Sequence, residues 1–388
     1  MKKPSATIFI RAGLRHWAAD RTWIMALLPC LAPIILFLLV CRQPQPFPDS
    51  GEYLELARNL VAHGQYLNAH DVSGGVDSLC RTPGYPLFIA LGRLVAGDFG
   101  YFIVNILFLY GIAVVTLKLA RAWNLRPWPV LTLLLTLSPA LSVCATVALT
   151  EIAFTFWFIL AIYGLWRDCS GMAGLSLSLA ALTRPAGIYL FIPLALWMAW
   201  RKKKIAAILL FAAMANLLPL MWSARNYVRF GYFTYTTLEG YYMLHYKAGS
   251  YLSWKNNIPF DTICEQLNAR LKATHPIERS READALGKQL IRENLSGFIF
   301  WAPRNWPYFL MPDISPLLER LQLVTGNRGT LDILRRQGPT AALCHYFSGN
   351  PAAAVLSAAY MAFYALIWLL FPFGVWYLWQ RKRFELLW

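Results

Sequence analysis

The sequence predicts an all-α polytopic membrane protein, and three observations carry that prediction. Charged residues make up only 14% of the 388 positions while hydrophobic ones make up 57%, whereas a soluble chain holds about a quarter charged residues. Apolar runs approaching the roughly 20 residues of a bilayer crossing recur along the chain. The surplus of cations behind the formal net charge of +16 falls mostly in short segments between those runs. Such a composition excludes a purely soluble enzyme and an intrinsically disordered chain.

The candidate spans, in order, are 23–41, 99–120, 127–146, 148–166, 170–183, 185–200, 205–222 and 353–379. The first follows Lys2, Lys3, Arg11, Arg15 and Arg21, and Arg42-Gln43-Pro44 comes after it in place of a small-residue cleavage site. It therefore reads as a signal anchor. The fifth and sixth are short and could also be one helix broken at Arg184-Pro185. Charge decides between the two readings. Arg167 and the run Arg201-Lys202-Lys203-Lys204 belong on one side by the cytoplasmic bias of Lys and Arg, which requires two crossings between them. Pro185 then opens the sixth helix, and Thr183-Arg184 turns at the outer face.

This assignment puts sixteen basic residues at the inner face, the last of them Arg381, Lys382 and Arg383, against Asp20, Asp168 and Glu385. The basicity is thus a topology signal, nucleic acid is not expected as a partner, and both termini are expected in the cytoplasm. Residues 1–222 form a transmembrane core with a first external loop at 42–98. Residues 223–352 form an extracytoplasmic segment with a helical pattern at 261–295, and 353–388 a last span and tail. A connection as long as 223–352 is rarely idle. No internal repeat is present, so repeat-built transporter folds gain no support. The seven cysteines include no close-spaced pair, so no zinc-ribbon or redox motif is present. Cys80, Cys264 and Cys344 fall in the external parts, and one disulfide among them is compatible with the spacing.

The first external loop carries the chemistry. In Pro48-Asp49-Ser50-Gly51-Glu52-Tyr53-Leu54-Glu55-Leu56-Ala57, the apolar positions recur at helical spacing through Val61, which predicts a short amphipathic helix on the outer bilayer surface, closed by Gly64. Asp49 at its start stands at headgroup height, where a carboxylate can act as a general base. Asp-x-x-Glu at a helix start also forms a capping box, with Asp49 as the cap and Glu52 reaching back. Downstream, Arg81-Thr82-Pro83-Gly84-Tyr85-Pro86 reads as a rigid turn before an apolar helix. Arg81 beside that turn offers a planar fork to phosphate oxygens, or else snorkels at the surface.

Other charged residues fall at the same predicted level. Glu151 follows Thr150 at an outer turn, as a helix-start carboxylate or a functional one. Arg184 lies at the next outer turn, where it could pair with Glu151 or hold phosphate. Arg225, Asn226 and Tyr227 follow the seventh span as interfacial anchors or site residues. His63, His70, Asp71 and Asp77 match no tight metal signature and read as solvated. Nucleotide-binding loops and Ser or Cys nucleophile motifs are absent, so an activated donor would have to arrive by another route, such as a lipid carrier.

Together these residues resemble the GT-C glycosyltransferases, in the branch of the protein mannosyltransferase-like and aminoarabinose transferase-like enzymes. Asp49 after the first span with Tyr53 four residues on, and Arg81-x-Pro-Gly-Tyr-Pro, are two of the motifs. Leu149-Thr150-Glu151, Leu182-Thr183-Arg184-Pro185 and Trp222-Ser223-Ala224-Arg225-Asn226-Tyr227, with Phe230-Gly231 closing the seventh span, are the others. They occur in order over roughly 24–235. The resemblance implies a core of about seven transmembrane helices with surface helices in the first external loop, plus one C-terminal span. It implies a polyprenyl-phosphate-linked sugar donor, a lipid, glycan or protein acceptor, and inversion at the anomeric carbon. Asp49 would be the general base. Arg81, Arg184 and Arg225 would hold the donor phosphate, and Glu52, Tyr53, Tyr85 and Glu151 would support the site. Many relatives carry two adjacent acidic residues where this chain has Asp49-Ser50, and no metal or other cofactor is predicted. Acceptor choice is expected to lie in 223–352. The compact size favours a bacterial inner membrane with the site facing the periplasm or exterior. A transporter or flippase of lipid-linked sugars and an inactive scaffold partner are the rival classes. The first would need charges along a path through the bilayer, and here they sit at span ends.

Overall fold

The computed structural model describes residues 22–41, 47–67, 79–123, 128–305, 314–324, 333, 337–347 and 350–380. The N-terminal cations and Asp20, Arg42, His70, Asp71, Asp77, Arg126 and the tail residues Arg381, Lys382, Arg383 and Glu385 lie outside the described residues. Within them the chain is 83% helical and contains no strand.

The main helices are α1 Leu28–Val40, preceded by a helical turn at Thr22–Met25, α2 Pro48–His63, α3 Gly84–Ala96, α4 Gly100–Ala122, α5 Trp128–Leu137 and α6 Pro139–Thr146. Next come α7 Glu151–Trp166, α8 Ser170–Thr183, α9 Phe191–Trp200 and α10 Ile205–Phe230. Leu238–Tyr241, Tyr242–Gly249 and Ser250–Asn256 run on as α11, its middle third a π-helix. α12 Phe260–Ala269, α13 Pro276–Glu293, α14 Leu295–Trp301, α15 Ser315–Arg320, α16 Pro339–Phe347 and α17 Pro351–Gln380 complete the series.

Among the described residues four stretches are long and apolar enough to cross a membrane: Thr22–Val40, Gly84–Ala122, Ile205–Phe230 and Pro351–Tyr377. α5 and α6, bent by 52° at their junction, would make a fifth. Glu151–Trp166, Ser170–Thr183 and Pro185–Trp200 are apolar but shorter. The helices are thus compatible with an integral membrane protein. Among the described residues the expected spans fall mostly on helix, and one helix runs on well past its expected end. The span expected at 99–120 is α4, which a turn at Gly97–Phe99, with Gly97 at φ +56°, separates from α3. The one expected to end at residue 222 runs on to Phe230, where Gly231, at φ +77°, closes it by donating its N–H to the Tyr227 carbonyl at 2.8 Å.

The chain divides into two compact units. The first comprises Met1–Phe47, Phe102–Tyr163 and Ile314–Trp388. In it α1 packs along α5 and α6, with Phe37 stacked on Phe102 at 3.7 Å between ring centres. Asn105, fully buried in α4, donates its amide to the carbonyls of Ala145 at 3.2 Å and Val147 at 2.8 Å. These carbonyls lie at the end of α6, where the helix leaves its own acceptors unfilled.

The second unit comprises Pro48–Tyr101 and Gly164–Asp313. Its most extensive packing is α8 against α10. Small residues allow the approach: a Cβ on Gly174 would stand 2.4 Å from the Phe211 carbonyl oxygen. Beside Pro219, Leu218 N–H donates across the helices to Ser178 Oγ at 3.0 Å. A second core joins α11, α12 and α13 through Leu244, Ala248, Ile263, Leu267 and Leu290. All seven cysteines are free thiols.

Candidate functional site

The site is built on the second unit, from α2 upward. Pro48 opens the helix, a position that needs no N–H, and Gly64 at φ +64° ends it. Asp49, Glu52, Tyr53 and Leu56 recur at helical spacing and so share one face. Tyr53 and Leu56 are buried, which turns the two carboxylates toward the segment before α3.

That segment holds Arg81, and its backbone is fixed from several directions. Tyr66 Oη donates to the Arg81 carbonyl at 3.0 Å, Thr236 Oγ1 to the Cys80 carbonyl at 2.7 Å, and Thr237 N–H to the Leu79 carbonyl at 3.0 Å. At Gly84 a Cβ would stand 2.6 Å from the Leu182 carbonyl oxygen. The glycine therefore lets the turn lie directly against the end of α8. There Pro185 excludes helical geometry from the residue before it, so Arg184 is extended, at φ −144° and ψ 120°, with an exposed side chain.

The Arg81 side chain is only 9% exposed. Its Nε donates to Glu52 Oε2 at 2.7 Å and its Nη2 to Asp49 Oδ1 at 2.6 Å. Its carbon centre lies 5.2 Å from the Tyr53 ring centre, and Tyr85 meets Tyr53 edge-on at 5.4 Å. Burial disfavours the charged guanidinium, but the hydrogen bond to Glu52 and the Asp49 charge outweigh it and raise the Arg81 pKa, so the group stays cationic. Both carboxylates of the expected capping box are thus engaged by a side chain 29 residues or more downstream. The pair is not equivalent. Asp49 is 48% exposed and Glu52 28%, so Asp49 is the one a substrate can reach.

A second layer lies behind Arg81. The Tyr66 ring meets Trp222 edge-on at 5.5 Å. Arg225 lies over Trp222 at 4.7 Å and Phe230 at 5.5 Å, and donates from Nη1 to Asn226 Oδ1 at 3.0 Å. Asn226, fully buried, donates in turn to the Thr234 carbonyl at 2.8 Å. Burial holds the Tyr66 hydroxyl pKa well above its ordinary value, against the lowering influence of Arg81 and Arg225. The Tyr242 hydroxyl pKa is raised by burial and by Asp49, and is countered by Arg81 and Arg184. Tyr242 therefore lies within electrostatic reach of three of the sequence-predicted site residues.

Of those residues, Asp49, Glu52, Tyr53, Arg81 and Tyr85 form one contact cluster, Arg184 and Arg225 belong to the same unit, and Glu151 opens α7 in the first unit. Sequence reasoning missed Tyr66, Thr236 and Tyr242. Thr236 and Tyr242 sit in 223–352, where no motif stands out, and Tyr66 follows the helix-closing Gly64 with no motif of its own. His63 is exposed at the end of α2. No group of three or more His, Cys, Asp or Glu side chains able to hold a metal ion occurs among the described residues. Comparison with protein families, curated proteins and solved structures finds no match.

Chemically, the cluster offers a carboxylate whose orientation is set through Oδ1 while the rest of the group faces solvent. Beside it lies a buried, permanently charged guanidinium held by a second carboxylate and lying near the Tyr53 ring. Such a fixed carboxylate can accept a proton from a hydroxyl without reorganising.

Proposed function

We propose that this chain is a membrane glycosyltransferase of the GT-C kind. It moves a sugar from a polyprenyl-phosphate-linked donor to a hydroxyl of a lipid, glycan or protein acceptor at the extracytoplasmic face. The observation that supports this reading is the clamp of Asp49 and Glu52 on the buried Arg81, just before the apolar helix α3. In the reaction the acceptor hydroxyl gives its proton to Asp49 as its oxygen bonds to the anomeric carbon from the face opposite the phosphate. The bond from that carbon to the phosphate oxygen breaks, its electrons pass to the phosphate, and the configuration inverts. Arg81, Arg184 and Arg225 offset the charge that grows on the leaving phosphate. Glu52, Tyr53 and Tyr85 hold Arg81 in place, and Glu151 belongs to the same proposal as a supporting carboxylate. So do the core of about seven spans, the cytoplasmic termini and a bacterial inner-membrane location.

Mass spectrometry of envelope lipids and glycans from cells with and without the chain tests this function. Loss of one sugar substituent, with build-up of its lipid-phosphate donor, is the expected result. An unchanged glycan and lipid profile would overturn it.

A further inference from the structure

The proposed chemistry leaves unused a cavity at the opposite end of α8 and α10. It has a volume of about 260 Å³ and opens between the loop that precedes α8 and the loop that precedes α10. Its floor is apolar, from Leu165, Trp197, Met198 and Ala207. Its polar lining is Asp168, Ser170, Lys203 and Lys204. Asp168 and Lys202 take left-handed conformations, at φ 56° and 54°, which fold each loop back sharply. An ion pair between Lys203 and Asp168 ties the two loops together.

Charge and hydrogen bonding both favour an anion. The two loops carry five cations, Arg167, Arg201, Lys202, Lys203 and Lys204, against the single carboxylate of Asp168. Lys204 makes no ion pair among the described residues. The indole N–H of Trp197 is buried and finds no acceptor among them, although a donor in such a place normally has one. Shape favours an anion with an apolar tail. Apart from the Trp197 N–H the floor gives nothing to a bare phosphate, and the adjoining faces of α9 and α10 expose Leu196, Trp200, Ile205 and Leu209. α10 is itself long and apolar enough to cross a membrane, so its first turn stands where lipid headgroups lie.

We propose that this cavity binds the phosphate headgroup of an anionic phospholipid. Lys204 and the Trp197 indole donate to the phosphate oxygens, Lys203 is shared between the phosphate and Asp168, and the acyl chains run along α9 and α10. Basic pockets between membrane helices favour such lipids. The site is separate from Asp49 and Arg81 and does not depend on the proposed transferase activity.

Native mass spectrometry of the full chain in neutral detergent tests the proposal. The probes are phosphatidylglycerol, phosphatidylcholine and inorganic phosphate, with Lys204→Gln and Trp197→Phe as variants. Phosphatidylglycerol should be retained in preference to phosphatidylcholine. Lys204→Gln should weaken that retention about five-fold, the effect of one cation near an anionic lipid surface, and leave phosphatidylcholine unaffected. Trp197→Phe, which removes the N–H and keeps an aromatic ring, should weaken it as well and serves if Lys204→Gln fails to fold. Equal retention of the two lipids, or retention by both variants at the parent level, would overturn the proposal. Displacement of phosphatidylglycerol by inorganic phosphate at matched concentration would also overturn it, showing a site for small anions.

Discussion

Removing each member of the Asp49–Glu52–Arg81 clamp should produce two different rankings, one for stability and one for transfer. Arg81→Met deletes both charge-assisted hydrogen bonds and the contact over the Tyr53 ring. Such bonds contribute about 1.5–3 kcal/mol each when shielded from water. Asp49 is nearly half exposed and Glu52 more than a quarter, so water recovers much of this once Arg81 is gone. The estimates fall to about 1 kcal/mol for the Asp49 bond and about 1.5 kcal/mol for the Glu52 bond, with about 0.5 kcal/mol for the ring contact. Arg81→Met should therefore cost about 3 kcal/mol, Glu52→Gln about 1 kcal/mol, and Asp49→Asn less than either, since its amide oxygen still accepts from Arg81. Transfer should rank differently. Asp49→Asn loses the general base and should fall by about 10²-fold or more, while Glu52→Gln, which only loosens Arg81, should fall far less. Denaturant unfolding in a mild detergent, followed by tryptophan fluorescence, gives the first ranking. Transfer assays on the same preparations give the second. The reasoning is refuted if Asp49→Asn is as destabilising as Arg81→Met, or if Arg81→Met leaves stability unchanged.

Three further outcomes are expected. Gly174→Ala should destabilise by about 1–3 kcal/mol, because its Cβ would meet the Phe211 carbonyl oxygen at 2.4 Å. Gly171→Ala in the same helix meets only Leu210 at 3.8 Å and should be neutral or stabilising in the same melt. Asn105→Leu should cost about 2 kcal/mol, since it leaves the buried Ala145 carbonyl without its side-chain donor and takes from Val147 one of its two donors, the other being the Leu149 N–H; a matched melt of the two proteins measures it. The Glu282 carboxylate accepts N–H bonds from Ala273 and Lys272, and these hold its pKa below the ordinary value. The bonds are therefore fully in place above the ordinary glutamate value of about 4.3 and are lost as pH falls through the lower folded value. Hydrogen exchange at Lys272 and Ala273, corrected for intrinsic rate, should lose protection only in that acid range.

The elements most legible in the sequence were those written in local chemistry. α2 follows from apolar spacing, an opening proline and Gly64; the end of α8 follows from Pro185. Span ends were less legible. Hydropathy marks where apolar character stops, at Trp222, but a helix stops where its backbone does, and for α10 the Phe230-Gly231 motif rather than hydropathy marked that end. The clamp itself was half visible. Asp-x-x-Glu at a helix start carries the same letters whether the carboxylates cap the helix or bind a distant guanidinium, and only tertiary packing places Arg81 between them. Tyr66, Thr236 and Tyr242 left no signal, because each acts through one hydrogen bond or a long-range charge and none belongs to a repeating pattern.

The account's central claim is met most directly by incubating the purified chain and its Asp49→Asn variant with a labelled polyprenyl-phosphate sugar and an acceptor extract from the same envelope. The parent should form a glycoside of inverted anomeric configuration, and the variant should bind the donor yet form at most about a hundredth as much product. Equal product from both proteins, or passage of intact donor across a bilayer with no new glycosidic bond, would contradict it.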